Sequence, residues 1–283
     1  MCIRDSNDTV TLRNSTLNVP NGFGIYFPSS GTLTIDNSVI NAQTMGVQVC
    51  SGSLNISGAG TAITVSGDGI DKTINDGAIE DGAAISIVNR VGYKGLTNIE
   101  VKGGTFTAKG DNAAVKAYKW ENQTASAFDN SENVVAISGG TFSSAVDKSL
   151  CADGYIPTQN ADGTYGVKEG ADGYVEDENG NVTISTAEGL FYFAKKVNAG
   201  NNFAGKTVTL ANNIDLNNEK WTPIGIYGTQ ATWFKGTFDG QNHAVTGLKV
   251  EESRKNGVGF FSKVYTGTIC LLYTSDAADD LIG

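Results

Sequence analysis

His243 is the only histidine in the 283-residue chain, and it stands in Asp239-Gly-Gln-Asn-His243. An imidazole can serve as a general acid or base near neutral pH, but that work needs a partner to orient the ring or a nucleophile to activate. No such grouping surrounds His243, so a hydrogen-bonded turn residue is the expectation. Glycosidic hydrolysis would need two carboxylates facing each other across a cleft. Proton abstraction next to a uronate would need Arg or Lys as base, beside a cation or acidic cluster. Arg13, Arg90 and Arg254 are scattered, and none lies in a segment with clustered Asp. No strand-like run carries two acidic residues at i, i+2 next to a basic one. The reading is therefore a chain that is not an enzyme, with no catalytic residue assigned.

Metal chemistry has little to stand on either. Asp177-Glu-Asn-Gly-Asn181 superficially resembles a calcium loop, but it lacks the distal bidentate Glu, and Asn179-Gly180 is a good hairpin turn. No metal and no cofactor is expected. Cys50 and Cys151 have no redox or metal spacing around them; two buried thiols are expected, with a disulfide as the alternative. Binding is harder to dismiss. Tyr118, Trp120 and Phe128 lie in Tyr118-Lys-Trp-Glu-Asn-Gln-Thr-Ala-Ser-Ala-Phe-Asp-Asn-Ser131, read as a long loop leaving the fold. Their ring faces could stack on sugar rings as ligand-binding residues, or fold back onto the flank, since large aromatics are mostly buried.

The elements that would position these residues come from a repeat. Thr9-Val-Thr-Leu-Arg-Asn-Ser-Thr-Leu-Asn18 returns 23 positions later as Thr32-Leu-Thr-Ile-Asp-Asn-Ser-Val-Ile-Asn41, and a weaker copy begins at Ser53-Leu-Asn-Ile56. Short alternating runs separated by Asn, Gly and Ser corners match one turn of a β-solenoid. Val10, Leu12, Leu33, Ile35, Leu54 and Ile56 would face one core, and the exchange of Arg13 for Asp36 should fall on the solvent side. At roughly 22 residues per coil, residues 7–168 would supply about seven coils, or about 34 Å of stacked strands. A second repeat class, Ile99-Glu-Val-Lys-Gly-Gly-Thr-Phe106 and Val135-Ala-Ile-Ser-Gly-Gly-Thr-Phe142, is offset by 36. Its Gly pairs fit corners and its Phe residues fit core positions. Asp162-Gly163 between two strand-like runs predicts a hairpin closing this segment.

Residues 169–181 turn polar and acidic and read as a linker. Ser185 and Glu188 form a capping-box pattern, Leu190, Phe193, Ala194 and Val197 share one face, and Gly200 stops the run. A capping helix over about residues 186–199 is expected, opening a second segment at 182–269. Strand-like runs follow at Thr207–Leu210, Ile214–Leu216, Ala244–Val245, Leu248–Val250 and Val258–Phe261. The fold class is thus all-β, a right-handed parallel β-helix in two segments. The net charge of −10 excludes the basic surface that nucleic acid or an anionic membrane selects, and no apolar run approaches a membrane span.

Trp221-Thr-Pro-Ile-Gly225, Phe234-Lys-Gly-Thr-Phe-Asp-Gly-Gln-Asn-His243, Gly247-Leu248 and Gly257-Val-Gly-Phe-Phe261 together resemble the GLUG-type repeat region of bacterial surface proteins. The helix and strands at Thr186–Leu216 are similar to the lead-in found there. Gly139-Gly-Thr-Phe142 through Thr164-Tyr165 resembles right-handed β-helix segments of secreted bacterial proteins. The resemblance implies a large extracellular, secreted or wall-attached protein of pectate-lyase-like fold, adhesin-like and carrying carbohydrate or a host or cell-surface protein as partner. It places Trp221 and Trp233 in structural positions. Where the family shows Gly-Leu-Phe-Gly, this chain has Gly257-Val-Gly-Phe-Phe-Ser262, so the next coil is expected to be irregular. The same fold also carries polysaccharide lyases and glycoside hydrolases, so a fragment of such an enzyme, lacking its active coils, is the alternative. Finally, Met1–Ser6 and Cys270–Asp279 back-translate into sequences resembling the two strands of a sequencing-library transposon end. Residues 1–6 and 270–283 are therefore expected to lie unpaired outside the fold.

Overall fold

Five of the Thr9 positions and the Thr32 positions meet as neighbours. In the computed structural model, which describes residues 9–70, 77–251 and 257–276, Thr9 to Arg13 pair in parallel with Thr32 to Asp36, one to one. The 23-residue repeat of the sequence is thus the stacking register itself. Thr32 to Asp36 pair in turn with Ser53 to Ser57. The chain divides into two units, residues 1–169 and 170–283.

In the first unit the strands come in threes. The first three are β1 (Thr9–Arg13), β2 (Thr16–Val19) and β3 (Phe23–Phe27); the next are β4 (Thr32–Asp36), β5 (Val39–Ala42) and β6 (Met45–Val49). β7 (Gly52–Ser57), β8 (Ala62–Val65) and β9 (Ile85–Arg90) follow, then β10 (Leu96–Val101), β11 (Thr105–Thr107) and β12 (Val115–Glu121). The rest are β13 (Thr124–Ala127), β14 (Val135–Ile137), β15 (Thr141–Phe142), β16 (Tyr155–Gln159) and β17 (Tyr165–Glu169). Each member of a triplet joins a different sheet, in the orders β1-β4-β7-β10-β14, β2-β5-β8-β11-β15-β17-β16 and β3-β6-β9-β12-β13. The first sheet has five strands where seven coils were expected. The difference is insertion: Leu54 pairs with Ile99 and Ile99 with Val135, so later triplets consume far more chain than the early repeat.

The alternation works as expected in the first sheet. Leu33, Ile35, Leu54, Ile56, Ile99 and Val101 are buried in one core with Ile40, Ile63 and Phe106. Arg13 and Asp36 do face solvent, and they meet, with Nε 3.0 Å from Oδ2. The corners after β1 and β4 are Asn14 and Asn37, both at left-handed φ (49° and 45°). Asn tolerates that region better than most residues, and Asn37 Oδ1 accepts from Gly60 N of the next triplet. Phe106 stacks on Phe142 at 5.0 Å. The glycine before each Thr-Phe leaves room for this: a Cβ on Gly140 would lie 2.9 Å from the Phe106 ring.

The third sheet departs from alternation. β6 is buried at every position and β9 at its first four. Ile25, Phe27, Val47, Val49, Ile85 and Ile87 fill the main core, while Tyr26, Met45, Cys50 and Val88 form a second cluster with Ala78, Ile79 and Trp120. A sheet apolar on both faces must be covered on both. The cover is the stretch after Gly77, which the alternation did not reveal.

The loop expected at residues 118–131 is a hairpin instead. β12 runs on through Trp120, and Tyr118 to Glu121 pair antiparallel with Thr124 to Ala127. Turn residues Asn122 and Gln123 take left-handed φ. The closing hairpin is present as read: β16 pairs antiparallel with β17, which pairs antiparallel with β15.

In the second unit, the expected linker contains a strand. β18 (Tyr174–Glu176) pairs antiparallel with β19 (Val182–Ile184), so the boundary lies at Glu169/Gly170. The helix α1 spans Ala187–Asn198, capped by Thr186, whose side chain accepts from Gly189 N; Ser185 is not the cap. Ser185 is instead held by β18's end, its N–H donating to Gly173 O. Leu190, Phe193, Ala194 and Val197 are buried, as the pattern requires. β20 (Thr207–Leu210), β21 (Ile214–Asp215), β22 (Thr237–Asp239), β23 (Ala244–Leu248), β24 (Thr268–Cys270) and β25 (Tyr273–Asp276) complete the unit. They form two sheets, β18-β19-β20-β22-β24 and β21-β23-β25, parallel except at β18. Val258–Phe261 is no strand; Phe261 makes an isolated bridge to Ile224. Cys270 and residues 273–276 were expected to be unpaired, and they are paired. An open parallel edge presents a row of unsatisfied N–H and C=O groups that an extended segment can take up with little regard to its side chains. Residues 1–6 lie outside the described residues.

Candidate functional site

The strand register brings the chemistry-bearing side chains of the third sheet together. Tyr26 is partnered by Gln48, Gln48 by Ser86, and Ser86 by Lys116. Two residues on, Val88 lies beside Tyr118, and Arg90 beside Trp120. These rows lie under the segment from Gly77 to Ala84. Gln48 holds that segment as a strand would, its Nε2 donating to Ile79 O (2.8 Å) and its Oε1 accepting from Ile79 N (2.9 Å).

Asp81 is the centre of this arrangement. It is 1% exposed, and its carboxylate accepts from Ser86 Oγ at 2.7 Å, Ala83 N at 3.0 Å and Tyr118 OH at 2.8 Å. Lys116 Nζ donates to its backbone carbonyl at 2.5 Å. Burial pushes the Asp81 carboxyl above the usual range, and the three donors oppose that shift without cancelling it. Nearby, Arg90 donates to Gly77 O and lies over the Tyr93 ring at 5.2 Å, while Tyr26 OH and Tyr93 OH are 2.8 Å apart. Burial drives the Tyr26 hydroxyl upward and the Cys50 thiol up to about 12, the latter against the pull of Arg90. An acid, a guanidinium, a thiol and three phenols thus gather where the sequence showed only scattered residues. Their bonds run to one another and to the covering backbone, which is the pattern of a buried polar network that fixes a fold.

The three aromatics proposed for ligand binding part company here. Trp120 is 5% exposed, wedged among Tyr26, Met45, Cys50, Ala78, Ile79 and Val88, so its faces are taken. Tyr118 is half-buried and meets Trp120 edge-on at 6.0 Å. Phe128 is half-buried against the main core. Tyr118 and Phe128 do converge. They line an open groove of about 410 Å³ between β12, the end of β13 and the short 3₁₀ turn Lys148–Leu150. Ala127 lines it too, at the end of β13, with Lys116, Asp147, Ser149 and Leu150 among the other walls. Asp147 Oδ1 accepts from Ser149 N and Ser149 Oγ, capping the turn, so its carboxylate is already engaged. Its ring edges and apolar side chains offer a surface to a small ligand, while the Tyr118 hydroxyl, the Lys116 amine and the Ser149 hydroxyl already donate to Asp81 and Asp147.

Compared with family models, curated proteins and solved structures, the chain matches none.

The remaining candidates are structural in their contacts. His243 Nδ1 lies 3.3 Å from Asn213 Oδ1, which also accepts from Ala244 N. Asp177 Oδ2 accepts from Asn181 Nδ2 and its Oδ1 from Asn181 N and Asn179 N, and these bonds, the Asn181 side chain's first, hold its carboxyl below the usual range; it is a turn former between β18 and β19. Cys50 is buried, Cys151 half-buried, and both are free thiols. Trp221 is 1% exposed, donates to Phe260 O at 3.0 Å and stacks on the Phe260 ring at 5.0 Å. Among the described residues no three His, Cys, Asp or Glu side chains gather as a metal site would require, and no helix is long and apolar enough to cross a membrane.

Proposed function

We propose that this chain is part of a right-handed parallel β-helix in an extracellular bacterial protein, secreted or wall-attached. It acts as a non-catalytic stalk or adhesin that meets glycans or host or cell-surface proteins through its flank. What carries the reading is the register: residue for residue, β1 lies on β4 and β4 on β7, while each triplet feeds three sheets in rotation. Such stacking gives a rigid body whose stability is built from neighbour contacts, suited to holding a surface at a distance. Antiparallel hairpins supplement the parallel strands in both units, at β16–β17 and β18–β19. Three side chains able to do acid–base work are committed to other bonds: Asp81 to three donors, Asp147 to a cap, His243 to Asn213. The groove beside Tyr118 and Phe128 is the contact site in the first unit.

The test is a panel of polysaccharides and immobilised glycans offered to the whole chain and to Ala127→Trp, which fills the groove from an exposed position. Binding without new reducing ends or unsaturated sugars, weakened in Ala127→Trp, is expected. Turnover of any glycan would overturn the non-catalytic reading, and binding unaffected by Ala127→Trp would remove the groove.

A further inference from the structure

The second unit carries an outward face that the stalk reading does not use. Phe234 bridges Val264 in parallel. Phe234 is buried and Val264 packs against the same core, so their neighbours at 233, 235, 263 and 265 project the other way. The four are Trp233, Lys235, Lys263 and Tyr265, and they form a two-by-two checkerboard of rings and amines. Lys263 Nζ lies 5.6 Å from the centre of the Trp233 ring, and Lys235 Nζ 5.9 Å from that of Tyr265. The two rings are 5.8 Å apart, tilted by 51°.

This face is accessible and it is set in place. Tyr265 is 46% exposed, and Ile226 and Tyr227, in the turn to which Trp233 is bonded, are exposed as well. Trp233 Nε1 donates to Ile226 O at 3.1 Å, which fixes the indole. The turn beneath is tied by Thr232 Oγ1, which accepts from Ile226 N and donates to Thr229 O. Tyr265 N donates to Phe234 O at 2.9 Å. Among the described residues no carboxylate lies within ion-pair distance of Lys235 or Lys263, although Lys249 close by in sequence is paired with Glu251. Two amines with no ion-pair partner among the described residues, in a chain with a net charge of −10, give this face a cationic character.

We propose that this checkerboard is a binding site for an acidic saccharide chain, with uronate-type carboxylates on the two amines and pyranose faces on Trp233 and Tyr265. Rings that offer flat apolar faces suit the C–H faces of sugars, and the adjacent cations select charged over neutral chains. The site belongs to the second unit and stands or falls apart from the groove in the first.

The test is calorimetric titration of the whole chain with a hyaluronan hexasaccharide and with neutral cellohexaose. The acidic chain should bind and the neutral one bind more weakly, and affinity for the acidic chain should fall with added salt. The double substitution Lys235→Gln/Lys263→Gln should weaken it by about fivefold or more. Tyr265→Ser, at an exposed position, should weaken both sugars. Lys94→Gln/Lys168→Gln, two exposed lysines of the first unit, removes the same charge and should leave the titration unchanged. Far-UV circular dichroism confirms folding of each variant. Equal binding of the two sugars, no binding of the acidic one, or equal effects of the two double substitutions would each overturn the proposal.

Discussion

Replacing Asp81 by alanine is the sharpest perturbation available to the first unit. Three donors lose their acceptor at once: Ser86 Oγ, Ala83 N and Tyr118 OH. Tyr118 is half-buried and can turn to water, but Ser86 and Ala83 are fully enclosed. Orphaning a buried donor costs about 1–3 kcal/mol, so two cost about 2–6 kcal/mol, part of which is returned because a carboxylate no longer has to be desolvated. A net loss of about 3 kcal/mol is expected for Asp81→Ala. Asp81→Asn keeps one acceptor and adds an amide that can donate to the Tyr118 oxygen, so it should lose about 1 kcal/mol. Urea unfolding followed by circular dichroism and Trp fluorescence measures both; Trp120, the tryptophan of the first unit, lies in the same cluster. The pH dependence has a definite sign. The folded-state carboxyl titrates above its ordinary value of 3.8, so the folded state holds that proton more tightly than the unfolded chain does. The stability this contributes is present below 3.8 and lost as pH rises through the raised value. Wild type minus Asp81→Asn should therefore decline with rising pH across that window and then level off. A difference that rises with pH, or an Asp81→Ala variant within about 0.5 kcal/mol of wild type, would refute the account.

Other substitutions read different links of the fold. Gly189→Ala should destabilise the second unit although alanine favours a helix by about 1 kcal/mol; its Cβ would fall 2.6 Å from Gly173 O, and a raised melting temperature would sink this reading. Thr186→Ala should cost about 1 kcal/mol and Ser185→Ala markedly less in thermal unfolding, because only Thr186 caps α1. Burial holds the thiol of Cys50 up to about 12 and that of Cys151 up to about 11, so both should resist iodoacetamide at pH 8 until urea is added; peptide mapping that finds Cys50 alkylated in the native state would contradict the packing.

How far the sequence could carry these conclusions follows from where each interaction sits along the chain. The stacking of β1 on β4 and of Phe106 on Phe142 is written as recurrence of residue types, so it is legible as soon as the repeat is aligned. Core and solvent faces of the first sheet follow from the same alternation. The third sheet is different, because β9 turns Ile85 and Ile87 into the main core and Ser86 and Val88 toward a second covered face, and that cover is the segment around Ile79, which has no pattern of its own. Asp81 reaches Tyr118 across 37 positions, a separation that no motif spans. Trp120 was legible as an aromatic in an insertion but not as a buried one, since antiparallel pairing of Glu121 with Thr124 turns that insertion back along the sheet. The checkerboard at Trp233 and Lys263 was hidden for a related reason. Its two rows belong to segments 30 residues apart that meet at the isolated bridge between Phe234 and Val264, and only that pairing makes neighbours of them.

The C-terminal edge shows why register and composition carry different information in such a fold. Thr268 to Cys270 extend the β22 edge in register, yet Ile269, Leu271 and Tyr273 stay 41–60% exposed. Backbone pairing there is supplied by the edge and asks little of the sequence, whereas burial has to be supplied by side chains in the right phase. In β4, by contrast, Leu33 and Ile35 are completely buried at every second position. Pairing alone therefore does not mark a segment as part of the evolved core, and pairing with a buried alternate row does. By that criterion β4, β5, β7 and β8 qualify, each with a buried alternate row and an opposite row that is partly exposed and free to vary. Recognition can then be placed on outward rows such as Trp233, Lys235, Lys263 and Tyr265 without disturbing the stacking that holds them up.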